Sequence, residues 1–219
     1  VLIRLFTRSV LIWMVSGSAM AACSSERIVG LWRDAVVKVE TDDGAQVSGV
    51  VVAQDRVVTV WHGLSGAGRA SAVVAGERQD AAILHADTES DLVLLAVPTG
   101  AVNPVTLLDR HLVADESVWV FGWPAGKFQT VGEGRYLGDW RGSLRFSSLV
   151  AAGQSGGALI ACQDGREMLA GLVTGFGAAE LAGNLQRIPH MSLAVSAAQL
   201  LTFFNGSHAV RLQAESPDT

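Results

Sequence analysis

The chain has 219 residues, 49% of them hydrophobic, and a formal net charge of −5. That length holds one ordinary domain or two very small ones, with enough apolar sequence for a sizeable core. The acidic balance and the lack of a basic cluster argue against a nucleic-acid partner.

Residues 1–22 read as a secretory leader. Arg4 and Arg8 form a basic n-region. Val10 to Val15 open an apolar stretch that fades into SGSAMAA, too short for a membrane span of roughly 20 residues. Cys23 follows MAA and precedes Ser24 and Ser25, which resembles a bacterial lipobox with Met20 in the place usual for Leu. That resemblance implies lipidation at Cys23 and a lipid anchor to a membrane. Ordinary cleavage after Ala19-Met20-Ala21, giving a soluble protein, stays open beside it. The other cysteine, Cys162, sits in the apolar run ALIAC and reads as a small buried hydrophobe. A Cys23–Cys162 disulfide is a third arrangement, although the chain shows no disulfide framework.

After the leader come short β-patterned runs. They are DAVVKVET (34–41), VSGVVVAQ (47–54), RVVTV (56–60), ASAVVAG (70–76), DAAILHA (80–86) and DLVLLAV (91–97). SVWVFG (117–122), 127–137, LRFSSLV (144–150), GALIAC (157–162) and MLAGLVTGF (168–176) follow. Gly, Asp or Asn bound them at intervals of about ten residues, the mark of an all-β barrel or sandwich. One helix is expected, at 196–205, with Ser196 as N-cap and Leu200, Leu201, Phe203 and Phe204 available for one face. Residues 207–219 read as a flexible tail.

The stretch GQSGG, Gly153 to Gly157, fits two hydrolase signatures. One is the G-x-S-x-G elbow of α/β-hydrolases; the other is the G-x-S-G-G serine loop of chymotrypsin-type proteases. The first needs amphipathic helices between strands and an acid and base after the serine, where His190 and His208 are available. The second needs a histidine and then an aspartate upstream. VTVWHGL brings a β-run to His62, and DLVLLAV opens on Asp91.

The blocks VTVWHGL, DLVLLAV and GQSGGALI together resemble those of trypsin-like serine proteases, most of all the bacterial HtrA/Deg type. SGVVVAQDRVVTVWHGL, VWVFGWPAGKFQTVGEGRYLG, MLAGLVTGF and MSLAVSAAQLLTFF extend the likeness from about Asp34 to Asn205. The resemblance implies an all-β fold of two six-stranded antiparallel β-barrels with a C-terminal helix. The protease domain would cover 28–206, with barrels at about 28–108 and 116–195.

It also implies roles. Ser155 is the nucleophile, His62 the general base and then acid, and Asp91 the group that orients His62. A serine hydroxyl is a poor nucleophile at neutral pH, so it needs the imidazole to take its proton. The backbone N–H groups of Gly153 and Ser155 form the oxyanion hole. Leu149 falls at the base of the primary pocket, and Thr174, Gly175 and Phe176 line the cleft. Thr174 is expected to support Asp91 through its hydroxyl. An apolar pocket base disfavours Lys or Arg before the scissile bond and suits small or medium aliphatic side chains.

Gln154 stands where digestive relatives carry an aspartate, so RIVG (Arg27 to Gly30) is not read as an activation site. The chain stops soon after the helix, leaving no expected room for a PDZ domain. No metal or cofactor is expected, since His85, His111, His190 and His208 share no ligand spacing. The expected partner is a polypeptide substrate, and the expected setting is the bacterial envelope. The rivals are a latent binding or chaperone-like member of the same fold, and an esterase depending on His190 or His208.

Overall fold

The computed structural model describes residues 23–181 and 183–207. The expected leader (1–22), the tail from residue 208 and His208 lie outside the described residues.

Valine-rich segments curl into two closed antiparallel barrels. The first contains β1 (Val36–Thr41), β2 (Gln46–Ala53), β3 (Arg56–Val60), β4 (Ala70–Val74), β5 (Glu77–Asp87) and β6 (Leu92–Ala96). Its neighbours run β1-β2-β3-β6-β5-β4 around the closed sheet. The second contains β7 (Ser117–Gly122), β8 (Thr130–Trp140), β9 (Ser143–Phe146), β10 (Ala158–Gln163), β11 (Arg166–Leu181) and β12 (Asn184–Ser196). Its order, β7-β8-β9-β12-β11-β10, repeats the winding of the first. This is the chymotrypsin fold.

Two buried clusters hold the barrels. One joins Val39, Val50, Val58 and Leu94 of the first barrel to Phe121, Ile160 and Leu172 of the second. The other fills the second barrel around Val120, Phe146, Leu159 and Val173. Each fully buried side chain of this size contributes roughly 1.5–3 kcal/mol. The C-terminal helix, α2 (Ala197–Ser207), inserts Leu200, Phe203 and Phe204 into the first cluster. Phe203 stacks against His85 of β5 with ring centroids 5.0 Å apart, so the last helix packs on the first barrel. Ser196 Oγ accepts from Gln199 N (3.2 Å), and Gln199 Oε1 accepts from Ser196 N (2.9 Å), a reciprocal cap. The helix runs past residue 205 to Ser207, a difference of the size usual at fraying ends.

One element is absent from the sequence reading. Residues Ser25–Trp32 form a helix, α1, with Ser24 Oγ capping Arg27 N and Glu26 in the first turn. Ile28 and Trp32, one turn apart, are buried. RIVG therefore lies inside a helix, with Ile28 in the core and Arg27 paired to Glu167 at 2.8 Å.

Cys23 just before α1 is joined to Cys162 of β10 in a disulfide, with Cα atoms 5.9 Å apart. This corrects the expected lipidation. The Cys23 Sγ that a lipid thioether requires is bonded to Cys162 Sγ, so the two arrangements exclude each other. Cys162 is a half-buried bridge partner rather than a free hydrophobe.

Candidate active site

Strand pairing brings the first two polar residues together. β3 pairs antiparallel with β6, Val60 opposite Leu92, so the end of one strand meets the start of the other. Directly after β3 a short 3₁₀ turn, Trp61–Gly63, carries His62. Directly before β6 stands Asp91, in the left-handed region at φ 58°, a conformation aspartate tolerates better than most residues.

Asp91 grips the turn at three points. Its carbonyl accepts from Trp61 N (3.1 Å), its Oδ1 from His62 N (2.8 Å), and its Oδ2 lies 2.7 Å from His62 Nδ1. A carboxylate there places the proton on Nδ1 and leaves Nε2 as the acceptor nitrogen. The hydrogen bond that His62 Nδ1 donates to Asp91 raises the His62 pKa above its ordinary value. Partial burial opposes that rise, and the charge of Asp91 adds to it.

The serine loop is contributed by the other barrel, in the turn before β10. Gly153 and Gly156 have φ of 88° and 80°. A Cβ on Gly153 would lie 2.5 Å from Trp123 O, and one on Gly156 only 2.1 Å from Ser48 O, so both positions require glycine. Ala125 N donates to Ala152 O at 2.7 Å. A trans peptide points its N–H opposite to its C=O, so the Gly153 N–H is turned away from Ala125. Neither Gly153 N nor Ser155 N has an intramolecular acceptor among the described residues. Ser155 Oγ donates to Thr174 O at 3.1 Å rather than to His62.

The loop is held by two residues whose structural role the sequence did not reveal. Gln154 is buried; its Oε1 accepts from Ala151 N (2.8 Å) and its Nε2 donates to Thr130 Oγ1 (3.1 Å). A neutral amide thus closes the loop. Ser48, fully buried on β2, reaches across from the first barrel. Its N–H donates to Ser155 O, its Oγ donates to Gly153 O and accepts from Trp123 N, and its carbonyl accepts from Thr59 Oγ1. Thr59 lies on β3, three residues before His62, so this contact sets the loop beside the strand that delivers the imidazole. The available signal was a lone serine in the apolar run VSGVVVA.

Two expectations are corrected. The Thr174 hydroxyl donates to Leu193 O (3.3 Å), not to Asp91. Thr174 lies at a register shift between β11 and β12, where the strand's alternation slips and its hydroxyl turns to the neighbouring strand. Leu149 is 72% exposed while Ser148 and Val150 are buried. The Leu149 side chain therefore faces solvent rather than the packed interior, at odds with the expected apolar pocket base. The Arg187 guanidinium lies 3.8 Å from the Phe176 ring centroid and donates to Val150 O. Gly175 of β11 pairs with Leu193 of β12. His190 is exposed on β12, and no cluster of three or more metal-ligating side chains occurs among the described residues. A cavity of about 430 Å³ between residues 104–112, α2 and β8 touches none of these residues.

Residues 47–172 match the trypsin-like peptidase domain. No curated protein matches the chain. Among solved structures, the active form of the Rv3671c protease from M. tuberculosis is 19% identical with a TM-score of 0.73, covering 98% of this chain and 97% of that one. The serine endoprotease from Yersinia pestis is 20% identical with a TM-score of 0.72, covering 85% of this chain and 67% of that one. An HtrA-type protease, AlgW, solved with a tripeptide, is 20% identical with a TM-score of 0.73, covering 84% of this chain and 63% of that one. The family match spans the segments that carry His62, Asp91 and Ser155, and the chain belongs to the trypsin-like peptidase family, the serine endopeptidases of the chymotrypsin fold.

Proposed function

We propose that the protein hydrolyses peptide bonds through Ser155, His62 and Asp91, with an acyl-enzyme intermediate. The observation that carries this reading is the two-point hold of Asp91 on His62, which leaves Nε2 as the free acceptor nitrogen. In the reaction Ser155 Oγ attacks the scissile carbonyl carbon as His62 Nε2 takes the hydroxyl proton. The developing oxyanion accepts from Gly153 N and Ser155 N, which have no intramolecular acceptor among the described residues. Collapse breaks the C–N bond, and His62 returns the proton to the departing amine. His62 then deprotonates a water that cleaves the Ser155 ester and frees the acid product.

We place this activity outside the cytoplasm, in the bacterial envelope, acting on polypeptides there in quality control or processing. The Cys23–Cys162 disulfide supports the export, because such bonds persist in oxidising compartments.

A latent binding member of the same fold is the second reading. It is favoured by the Ser155 hydroxyl bonding Thr174 O. Rotation about one side-chain bond releases that contact, whereas an inactive loop requires a turned peptide at Gly153. The carbonyl of Ala152 on Ala125 N argues against the latter.

Fluorophosphonate labelling of the full chain, read by intact mass, tests the proposal. One adduct on wild type, lost in Ser155→Ala and His62→Ala, is the expected result. Folded wild type without an adduct overturns it.

A further inference from the structure

Arg187 of β12 makes two contacts, and each reaches a different flank of Ser155. Its guanidinium donates to the carbonyl of Val150, which stands five residues before Ser155 on the serine loop. The same group lies 3.8 Å from the ring centroid of Phe176. Phe176 stands two residues beyond Thr174, whose carbonyl accepts from Ser155 Oγ. One cation thus bridges the loop that carries Ser155 and the strand segment that Ser155 touches.

The bridge leaves the charge itself unmatched. Val150 O and the Phe176 ring are the partners of this guanidinium, and none of the ion pairs among the described residues includes Arg187. The two flanks it joins, 149–154 and 174–178, carry no ionisable side chain. A guanidinium offers a planar fork of N–H donors, and one carbonyl uses only part of it. Phe176 holds the group against its ring face and limits its rotation. Arg187 is half-buried and Phe176 is exposed, so the unused donors are partly desolvated yet reachable from outside. A partly desolvated, ordered cation without a carboxylate partner is a ready acceptor for one brought by another molecule.

We propose that Arg187 determines specificity at the primary pocket, selecting a Glu or Asp side chain on the residue just before the scissile bond. This rests on the peptidase reading. The carbonyl that Ser155 attacks belongs to that residue, so its side chain starts within a few bond lengths of Ser155 Oγ. The segments expected to receive it, around Leu149 and from Thr174 to Phe176, are the ones Arg187 joins. A carboxylate entering between them meets the guanidinium fork and forms a charge-assisted pair. A Lys or Arg side chain meets like charge instead, and an aliphatic one leaves the cation without a partner. The substrate class is a polypeptide cut after an acidic residue, in place of the aliphatic preference expected from Leu149.

The test uses succinyl-Ala-Ala-Pro-X-p-nitroanilides, with X as Glu, Asp, Gln, Leu or Lys, on the full chain. The better acidic substrate should exceed Gln and Leu by at least about tenfold in kcat/KM, and Lys should be the poorest. Arg187→Ala should bring the acid-to-Gln ratio close to one, and Arg187→Glu should turn the ranking towards Lys. Arg187→Lys, which keeps the charge and loses the fork, should retain part of the acidic preference. A merely structural role for the Val150 contact would lower every rate together and leave the ranking as it was. Equal rates for acid and Gln, or a preference for Leu or Lys in wild type, overturn the assignment and leave the peptidase reading standing. If wild type hydrolyses none of these substrates, binding decides. Fluorescein-labelled Ala-Ala-Pro-Glu amide should then bind Ser155→Ala at least about tenfold more tightly than its Gln counterpart, read by anisotropy. That result supports the Arg187 pocket and defeats the catalytic reading, whereas equal or absent binding overturns both.

Discussion

Ser48 N donates to the carbonyl of Ser155 at 2.8 Å, a hydrogen bond from the first barrel to the proposed nucleophile of the second. Ser48 Oγ adds a bond to Gly153 O at 2.8 Å and receives Trp123 N at 2.9 Å. Ser48→Ala keeps the first contact and removes the other two. It leaves Gly153 O and Trp123 N unpaired in a buried seam. We expect a loss of about 1–3 kcal/mol in urea unfolding. A fall in kcat larger than the change in KM should accompany it, since the oxyanion donors are loosened rather than the substrate cleft. An unchanged kcat would separate Ser48 from the loop's function.

The Asp91–His62 contact sets a pH dependence. A general base must be neutral, so kcat/KM should fall as pH drops through the His62 pKa, which Asp91 holds above the ordinary value of about 6.5. Asp91→Asn should move that limb to lower pH and reduce kcat by on the order of 10⁴, because the amide favours the wrong tautomer. Stability responds in the opposite sense. A raised folded-state pKa stabilises fully below the unfolded value and is lost as pH rises through the folded one. A rate profile beside an NMR titration of His62 reads both.

Gly156→Ala should close the site sterically. Its Cβ would stand 2.1 Å from Ser48 O and 2.5 Å from Thr59 Oγ1, at a φ of 80°. The left-handed conformation alone costs roughly 1–2 kcal/mol. We expect fluorophosphonate labelling to disappear while far-ultraviolet dichroism still reports β structure. Normal labelling would mean the seam yields.

The disulfide closes a separation of 139 residues and ties α1 to β10. Cys162→Ser, or reductant added to wild type, should lower unfolding stability by about 2–4 kcal/mol. Matching urea midpoints for oxidised and reduced protein would contradict this.

The barrels were legible because valine- and leucine-rich runs between turn residues identify strands wherever their partners lie. The contact of His62 with Asp91 was legible for a related reason: both sit at strand ends, where polar residues interrupt apolar runs. α1 was not, since only Ile28 and Trp32 of its short length show a buried face. The part of β11 beyond Phe176 was hidden by composition, because glycine and alanine carry little strand preference. Leu149 and Thr174 were misjudged over which way a side chain turns. A bulge or a single step of alternation decides that, and neither leaves a trace in residue type. Ser48 and Gln154 act on backbone groups brought near only by the docked barrels.

The division of the site between two barrels also orders events in time. A chain emerging from its N-terminal end completes the strands that carry His62 and Asp91 before Ser155 has been made. That first half lacks the proposed nucleophile, and a second half folded alone would lack the proposed base. Destructive chemistry therefore begins only after the last strands have closed and the seam at Ser48 has formed. Cys162, made after Ser155, can seal the N-terminal helix only at that late stage.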